Sequence, residues 1–564
     1  MALPARQRGK TAPQAQRTKG VHLSAPVGGL NSSAAASAMP VTDCLALTNL
    51  IPYQYGLRVR SGYREWCTQL GLASQFSGTE LAFELGTSFG AEAVPYPVLT
   101  LLSFTGSKSD GTSDRLFACT RAGILDVTGP TDTPTTVFSF PLQSSKSGKG
   151  VATAFANTAG THYLAYCDSV NGYLLYSEAT DSWSQVMEGT GAGQVEGADP
   201  TTFRFVMSWK NRLWFVPENS QKALYLPIGQ YAGEVNPIYF GARFRYGGEL
   251  VGLWNWTLDG GAGVDDNLVG ISRGGDVVVY QGIDPAVTNA FELRGTYWVG
   301  PVPPGRTIAT DFGGDLFILA AAGCIPLSRL VSGGLIRDPS IYVTYKVANI
   351  FNTLMSTRGT LEGWSVRIHP SDNLLLVNVP GLYGADPEQL SMSLANQGWS
   401  RLTGLPMTCM ETWKGKLFFG TTDARVCINE GYVDNQQLGG LNAQAIDWAL
   451  LTAYQNLGST AKKRIHMVRP RFITDGTKPG YSVQARYDYD LTTVSPAPVA
   501  ADTTENSWDY GLWDGALWVE TGTAGTQAGT TGIGVSMAVV LRGTSTTNTT
   551  LVGFDIMTDS GGLL

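Results

Sequence analysis

The sequence predicts a mainly β chain: a β-propeller of six to eight blades, seven by count, with a C-terminal β-sandwich-like domain and an extended N-terminal segment. Three observations carry this. The chain has 564 residues, more than one ordinary core holds unless a repeat absorbs the length. Glycine is abundant (68 residues), charged residues make up only 15% and aromatics 10%, a composition that favours strands joined by tight turns and excludes a coiled coil. A short phrase also recurs: a turn residue, a polar residue, Leu, then an apolar residue. Its leucines are Leu116, Leu164, Leu213, Leu268, Leu316, Leu374 and Leu417. The gaps between them, from about 43 to about 58 residues, bracket the ~40–50 residues of a four-stranded blade.

Taken in chain order, residues 1–22 read as a disordered basic arm. Arg6, Arg8, Lys10, Arg17 and Lys19 precede the first acid, Asp43, so a net charge of −7 divides into +5 here and −12 beyond (−7 − 5 = −12). Residues 23–94 read as an extended segment, given its course by Pro and Gly and suited to docking on another body. Residues 95–440 read as the propeller. Trp209-Lys210-Asn211-Arg212-Leu213 aligns with Trp413-Lys414-Gly415-Lys416-Leu417, each a strand, a two-residue turn and a second strand, with Asn or Gly supplying positive φ. Trp183 and Trp399, each followed by Ser, fall where an outer strand closes a blade. One blade cannot bury both of its faces, whereas a closed ring of blades can; one or two sandwiches of similar hairpins are the alternative. Asp338-Pro339 with Ile341, Tyr345, Ala348 and Met355 predicts a helix between blades, serving either a contact between subunits or a cap on its own propeller.

Residues 441–564 read as a separate β domain. Ile446–Tyr454 is assigned to a strand, and alternation marks further strands at 464–469, 481–487 and 534–541. A Pro/Ala/Thr-rich linker and a stretch with Trp508, Trp513 and Trp518 lie between the last two.

Residues that could carry chemistry are sparse. The seven cysteines are odd in number and widely spaced, with no CxxC, so free thiols in a reducing compartment are expected, and neither a disulfide framework nor a zinc site. His22, His162, His369 and His466 are never within four residues of one another. Ser147-Gly148-Lys149-Gly150 lacks the ends of a phosphate loop and reads as a basic loop. Asp259, Asp265 and Asp266 fit no calcium-loop spacing and read as a turn. Asp488 and Asp490 would share one face of a strand, where a carboxylate pair could act on a glycosidic bond, but the favoured reading is a solvent-facing strand edge. No catalytic residue, cofactor or metal is assigned, and the chain is read as a non-enzyme without a membrane-inserting segment.

The N-terminal stretch contains Pro26-Val27-Gly28-Gly29-Leu30-Asn31, then Asn49, Pro52, and Arg58-Val59-Arg60 with Gly62-Tyr63. It resembles the opening of the tail nozzle or tail-hub proteins of short-tailed bacteriophages. Trp448 to Tyr454, Lys463, Arg469-Pro470, Phe472 and the 508–518 aromatic stretch resemble the C-terminal part of that family. The resemblance implies a homohexameric ring below the adaptor of the portal vertex. That ring would extend the DNA channel, pass double-stranded DNA without binding it specifically, and hold a needle or plug and the fibres or spikes. It also implies assembly in the host bacterial cytoplasm and residence in the virion tail, with Pro26, Gly28, Gly29, Asn31, Pro52, Arg58, Arg60 and Tyr63 as the adaptor-docking residues. The competing readings are a receptor-binding or polysaccharide-degrading tail propeller and a cellular propeller scaffold.

Overall fold

A computed structural model describes residues 18–560 apart from 71, 74–93, 143, 260–263, 288–289, 335, 337, 383–384, 476–477, 500–521 and 525–527. All seven repeat leucines are buried. Each lies in the second strand of an up-and-down antiparallel unit: Arg115–Cys119, His162–Asp168, Arg212–Pro217, Val264–Ser272, Asp315–Ala320, Leu374–Val379 and Lys416–Gly420. Six of these units are separate sheets arranged as propeller blades; the remaining one, residues 365–402 and sixth in chain order, shares its sheet with the C-terminal domain. We number the units 1 to 7 in chain order. The first strand of each packs beside the first strand of the next, and Cys409–Trp413 of unit 7 returns to Thr100–Phe104 of unit 1. Six self-contained blades, with a further Leu-bearing unit shared with the C-terminal domain, fall within the expected range of six to eight; unit 5 is reduced to three strands.

What holds the ring together is apolar packing between neighbours. Phe117, Leu164, Tyr176 and Trp183 join units 1 and 2; Leu213 and Phe215 pack on Tyr173 of unit 2; Trp214 and Phe205 meet Leu253 and Leu268 of unit 4. At the last seam Leu101 and Leu116 of unit 1 pack on Trp413 and Phe418 of unit 7. Each blade therefore loses two apolar faces to its neighbours, which no single blade could do in water. The aligned hairpins are equivalent in detail. Trp209 and Trp413 are both buried at the end of a first strand. The turn residues have φ of 49° and 55° at Lys210 and Asn211, and of 49° and 74° at Lys414 and Gly415, the paired positive values of a tight hairpin. Both lysines cover their own Trp ring, at 5.9 and 4.7 Å, and each reaches an aspartate of the next unit, Asp266 at 2.7 Å and Asp114 at 3.4 Å.

The ring closes with a strand from outside the 95–440 span. Unit 7 takes its fourth strand, Arg64–Cys67, from the N-terminal segment, paired antiparallel to Val426–Ile428. The residues after Ile428 offer no apolar strand of their own, and the alternating burial of Tyr63, Glu65 and Cys67 supplies what is missing.

The C-terminal region is a two-sheet sandwich that also draws on N-terminal strands. One sheet orders Leu50–Tyr53, Gly56–Val59, Thr549–Ser560 and Lys463–Thr474; the other orders Asp43–Thr48, Gln444–Thr452, Met537–Ser545 and Gly480–Tyr487, and runs on through Gly29–Leu30 into unit 6. Trp448, Ile465, Phe472, Val539 and Phe554 fill the space between the sheets.

Several expectations change. Within the basic arm, residues 1–17 lie outside the described residues, but Lys19–Ser24 is an ordered strand on Thr549–Ser560. Asp338 does cap, accepting from the Ser340 amide, but only a single 3-10 turn, Pro339–Ile341; the α-helix starts at Ala348 and ends at Arg358. The strand Gly480–Tyr487 ends before the two aspartates: Asp488 and Tyr489 have φ of 49° and 63°. Asp488 accepts the Val535 and Ser536 amides and Asp490 the Thr492 amide, so the two carboxylates are spent on turns. Trp508, Trp513 and Trp518 lie outside the described residues.

Candidate functional site

The eight residues expected to form an adaptor-docking surface lie mostly inside the chain. The segment that carries them is an internal strap between sandwich and propeller. Pro26, Gly29, Asn31, Pro52, Arg60 and Tyr63 are buried, and Gly28 and Arg58 are half-buried. The reason is steric and electrostatic. Gly29 (φ 78°) runs against unit 6 so closely that a Cβ would sit 2.6 Å from the Trp399 amide nitrogen, and one on Gly28 would sit 2.1 Å from Asp43 Oδ1. Only glycine allows that approach. Asn31 donates to Asp43 Oδ2 at 2.7 Å and accepts the Ser33 and Ala34 amides. Lys346 then ties the strap to the helical insertion, its Nζ lying 3.1 Å from Asp43 Oδ1 and 2.9 Å from the Gly28 carbonyl oxygen.

Further along, Pro52 packs on Gly398. Arg58 lies over the Tyr53 ring at 4.3 Å and donates to Asp372 of unit 6 at 2.9 Å. Arg60 is the centre of the strap. Its guanidinium is 2% exposed and grips Asp434 in a two-toothed pair at 2.7 and 2.6 Å. It also donates to Asn49 Oδ1 and to the Thr403 carbonyl. Such a fork fixes geometry as well as charge. Tyr63 packs edge-on against Phe419 of unit 7, centroids 5.4 Å apart.

Beside Arg60 opens a polar cleft of about 500 Å³, lined among others by Asn49, Tyr63, Asp423, Arg425, Asp434 and Asp447. It joins strap, units 6 and 7, and sandwich. Arg425 bridges Glu65 at 2.9 Å and Asp423 at 2.7 Å. Burial lifts the Asp434 carboxyl above the usual carboxylate range against the pull of Arg60. Burial, then the neighbouring Asp434, lifts Asp447 as well. The cleft thus brings together Arg60 and Tyr63 of the expected set. It adds Arg425, Asp434 and Asp447, which no local pattern marks because they come from three separate loops and strands.

Other polar residues singled out in the sequence have structural partners. Asp266 binds Lys210 and Thr257 Oγ1. Ser147 donates to the Leu142 carbonyl, and Lys149 pairs with Glu362 at 3.1 Å. His22 and His466 pair with Asp555 and Asp559. His369 is buried against Asn429 Oδ1 at 2.8 Å. All seven cysteines are free and six are buried; burial raises the thiols of Cys67, Cys324, Cys409 and Cys427 to about 12, far from a reactive thiolate. Among the described residues no three His, Cys, Asp or Glu side chains gather as a metal site, and no helix is long and apolar enough to cross a membrane.

No family model and no curated protein matches the chain. Solved structures that resemble it share 11–13% identity. The extracellular domain of a hybrid two-component system from B. thetaiotaomicron aligns with TM-score 0.35 and 13% identity over 59% of this chain and 40% of its own. YCF48 from Cyanidioschyzon merolae aligns with TM-score 0.33 and 12% identity over 59% and 96%. The computationally designed Ika8 protein aligns with TM-score 0.32 and 11% identity over 68% and 96%. Likenesses this distant carry no argument about function.

Proposed function

We propose that this chain is a structural subunit of a bacteriophage tail. About six copies would close into a nozzle or hub ring that continues the DNA channel below the portal adaptor and anchors the distal tail parts. One observation carries the reading. The two stretches that resemble the nozzle family stand at opposite ends of the sequence, yet they interleave in one sandwich. Leu47 pairs with Leu450, and Thr48 with Ala449. The resemblance therefore follows one physical module rather than two unrelated coincidences. Composition is consistent with assembly: charge is low, and large apolar side chains such as Tyr55, Tyr239, Ile283 and Leu441 stand exposed, available to the heterologous contacts that a cyclic ring needs. An acidic body has little affinity for phosphate backbones, so DNA could pass without sticking. Because the strap residues face inward, adaptor docking in this proposal uses another surface.

Mass photometry and negative-stain imaging of the purified chain across a concentration series test it. A closed ring of about six copies is expected from the symmetry argument. A strict monomer at every concentration that also ignores adaptor-type rings would sink the proposal, and release of reducing sugar from host polysaccharide would replace it with the degrading-enzyme reading.

A further inference from the structure

Away from the strap, five successive blades send charged side chains to one end of the central channel. Lys146 precedes the inner strand of unit 2 and Arg204 opens that of unit 3, while Glu249, Arg306 and Glu362 precede those of units 4, 5 and 6. With Glu218 and Arg273 they line a pocket of about 220 Å³. The three carboxylates are all engaged. Glu249 lies 2.7 Å from Arg204 and 3.1 Å from Arg273, Glu218 lies 2.9 Å from Lys146, and Glu362 is held by Lys149 from the rim at 3.1 Å. Arg306 is left over. It lines the pocket, its Nε is shut off from solvent without a hydrogen-bond partner, and no ion pair reaches its guanidinium among the described residues. Burial, and next the like charge of Arg204, hold its pKa below the ordinary guanidinium value, yet an arginine stays protonated in a protein. Glu362 and Glu218 attract it only from beyond ion-pair distance and are themselves paired with lysines; a largely shielded cation without a contacting counter-charge is costly, and an anion in the pocket would supply one.

We propose that this funnel is a binding site for a small phosphate-type oxyanion, free or as the terminal group of a phosphomonoester, with Arg306 as its principal donor. A guanidinium fork matches two oxygens of a tetrahedral anion, and the cavity excludes a nucleic-acid duplex by size. The site belongs to a single chain, so it stands or falls independently of ring assembly.

The test is calorimetric titration of the full-length protein with sodium phosphate and, separately, glycerol 3-phosphate, with sodium chloride as the ionic-strength control. One saturable site per chain is expected. Tighter binding of phosphate identifies the free ion as the ligand, and tighter binding of glycerol 3-phosphate identifies an ester. Arg306→Gln should weaken binding at least about tenfold, the loss of one charge-assisted contact. Arg306→Lys should recover part of it, and Glu362→Gln, which frees Lys149, should strengthen it. Because Arg306→Gln removes a charge that no carboxylate contacts, its thermal midpoint without phosphate should equal or exceed that of the parent. No saturable uptake by the parent protein up to about 10 mM, weaker than any useful site, or equal uptake by Arg306→Gln, overturns the assignment. Should Arg306→Gln fail to fold, the Glu362→Gln titration and the rise of the parent's thermal midpoint with phosphate decide it, and a flat response in both refutes the site.

Discussion

The propeller and the sandwich are made of the same kind of strand but of opposite kinds of contact. In unit 2 the pairs run between chain neighbours, Ala156 with His162 and Asp168 with Gly172. In the sandwich Gly56–Val59 lies against Thr549–Ser560, and Asp43–Thr48 against Gln444–Thr452. A local hairpin leaves a repeating mark on the sequence, because each blade needs the same turn and the same buried residue. A pairing across four to five hundred residues leaves none, and it forms only after a costly loop has closed. The strap belongs to both regimes: its strands build the sandwich at Asp43–Val59 and complete a blade at Arg64–Cys67.

Three measurements would break or sharpen that contrast. The largest effect is expected in the propeller. Trp209→Ala and Trp413→Ala should each cost about 3–5 kcal/mol, as large aromatic truncations in a core do. The double variant should lose roughly 6–10 kcal/mol, because units 3 and 7 share no seam and distant sites add. Denaturant unfolding reads both. Unequal single losses would mean that the closing unit is not a true repeat of the others. Next comes the strap. Arg60→Ala leaves Asp434 shielded and unpaired and should cost about 3–5 kcal/mol. A loss below about 1 kcal/mol, the worth of an exposed pair, would mean that the strap merely rests on the blades.

The smallest effect is a pH dependence at the seam of units 6 and 7. Burial holds the His369 pKa below its ordinary value; Asp372, 3.6 Å away, pulls it up, and Arg58 pushes it down. The folded state therefore resists the proton that the unfolded chain accepts near pH ~6.5. This contribution to stability is complete above that pH and is lost as the pH falls below it. His369→Gln should flatten the acid-side slope of the unfolding free energy, and an unchanged slope would assign it to other groups.

How far the sequence could be read follows from this contrast. The seven leucines and the Trp-Lys turns were visible because each is fixed within a few residues of itself. The glycine pair at Gly28-Gly29 was visible as a motif, but its reason was not: Gly29 lies against the backbone of Trp399, some 370 positions away, and Gly28 against Asp43. Arg60 and Tyr63 were singled out for the outside of the molecule and belong to its inside. A missing fourth strand after Ile428 was the one available hint that the ring closes from the N-terminus.

Composition and short-range pattern alone determined the β class, the blade rhythm and the C-terminal strands around 464–469, 481–487 and 534–541, though not Thr549–Ser560, since turn chemistry and alternation are properties of neighbouring residues. Tertiary structure alone decided which strand seals the ring, which carboxylate Arg60 holds and that no carboxylate among the described residues contacts Arg306, because burial and charge pairing depend on residues the chain brings together only when folded.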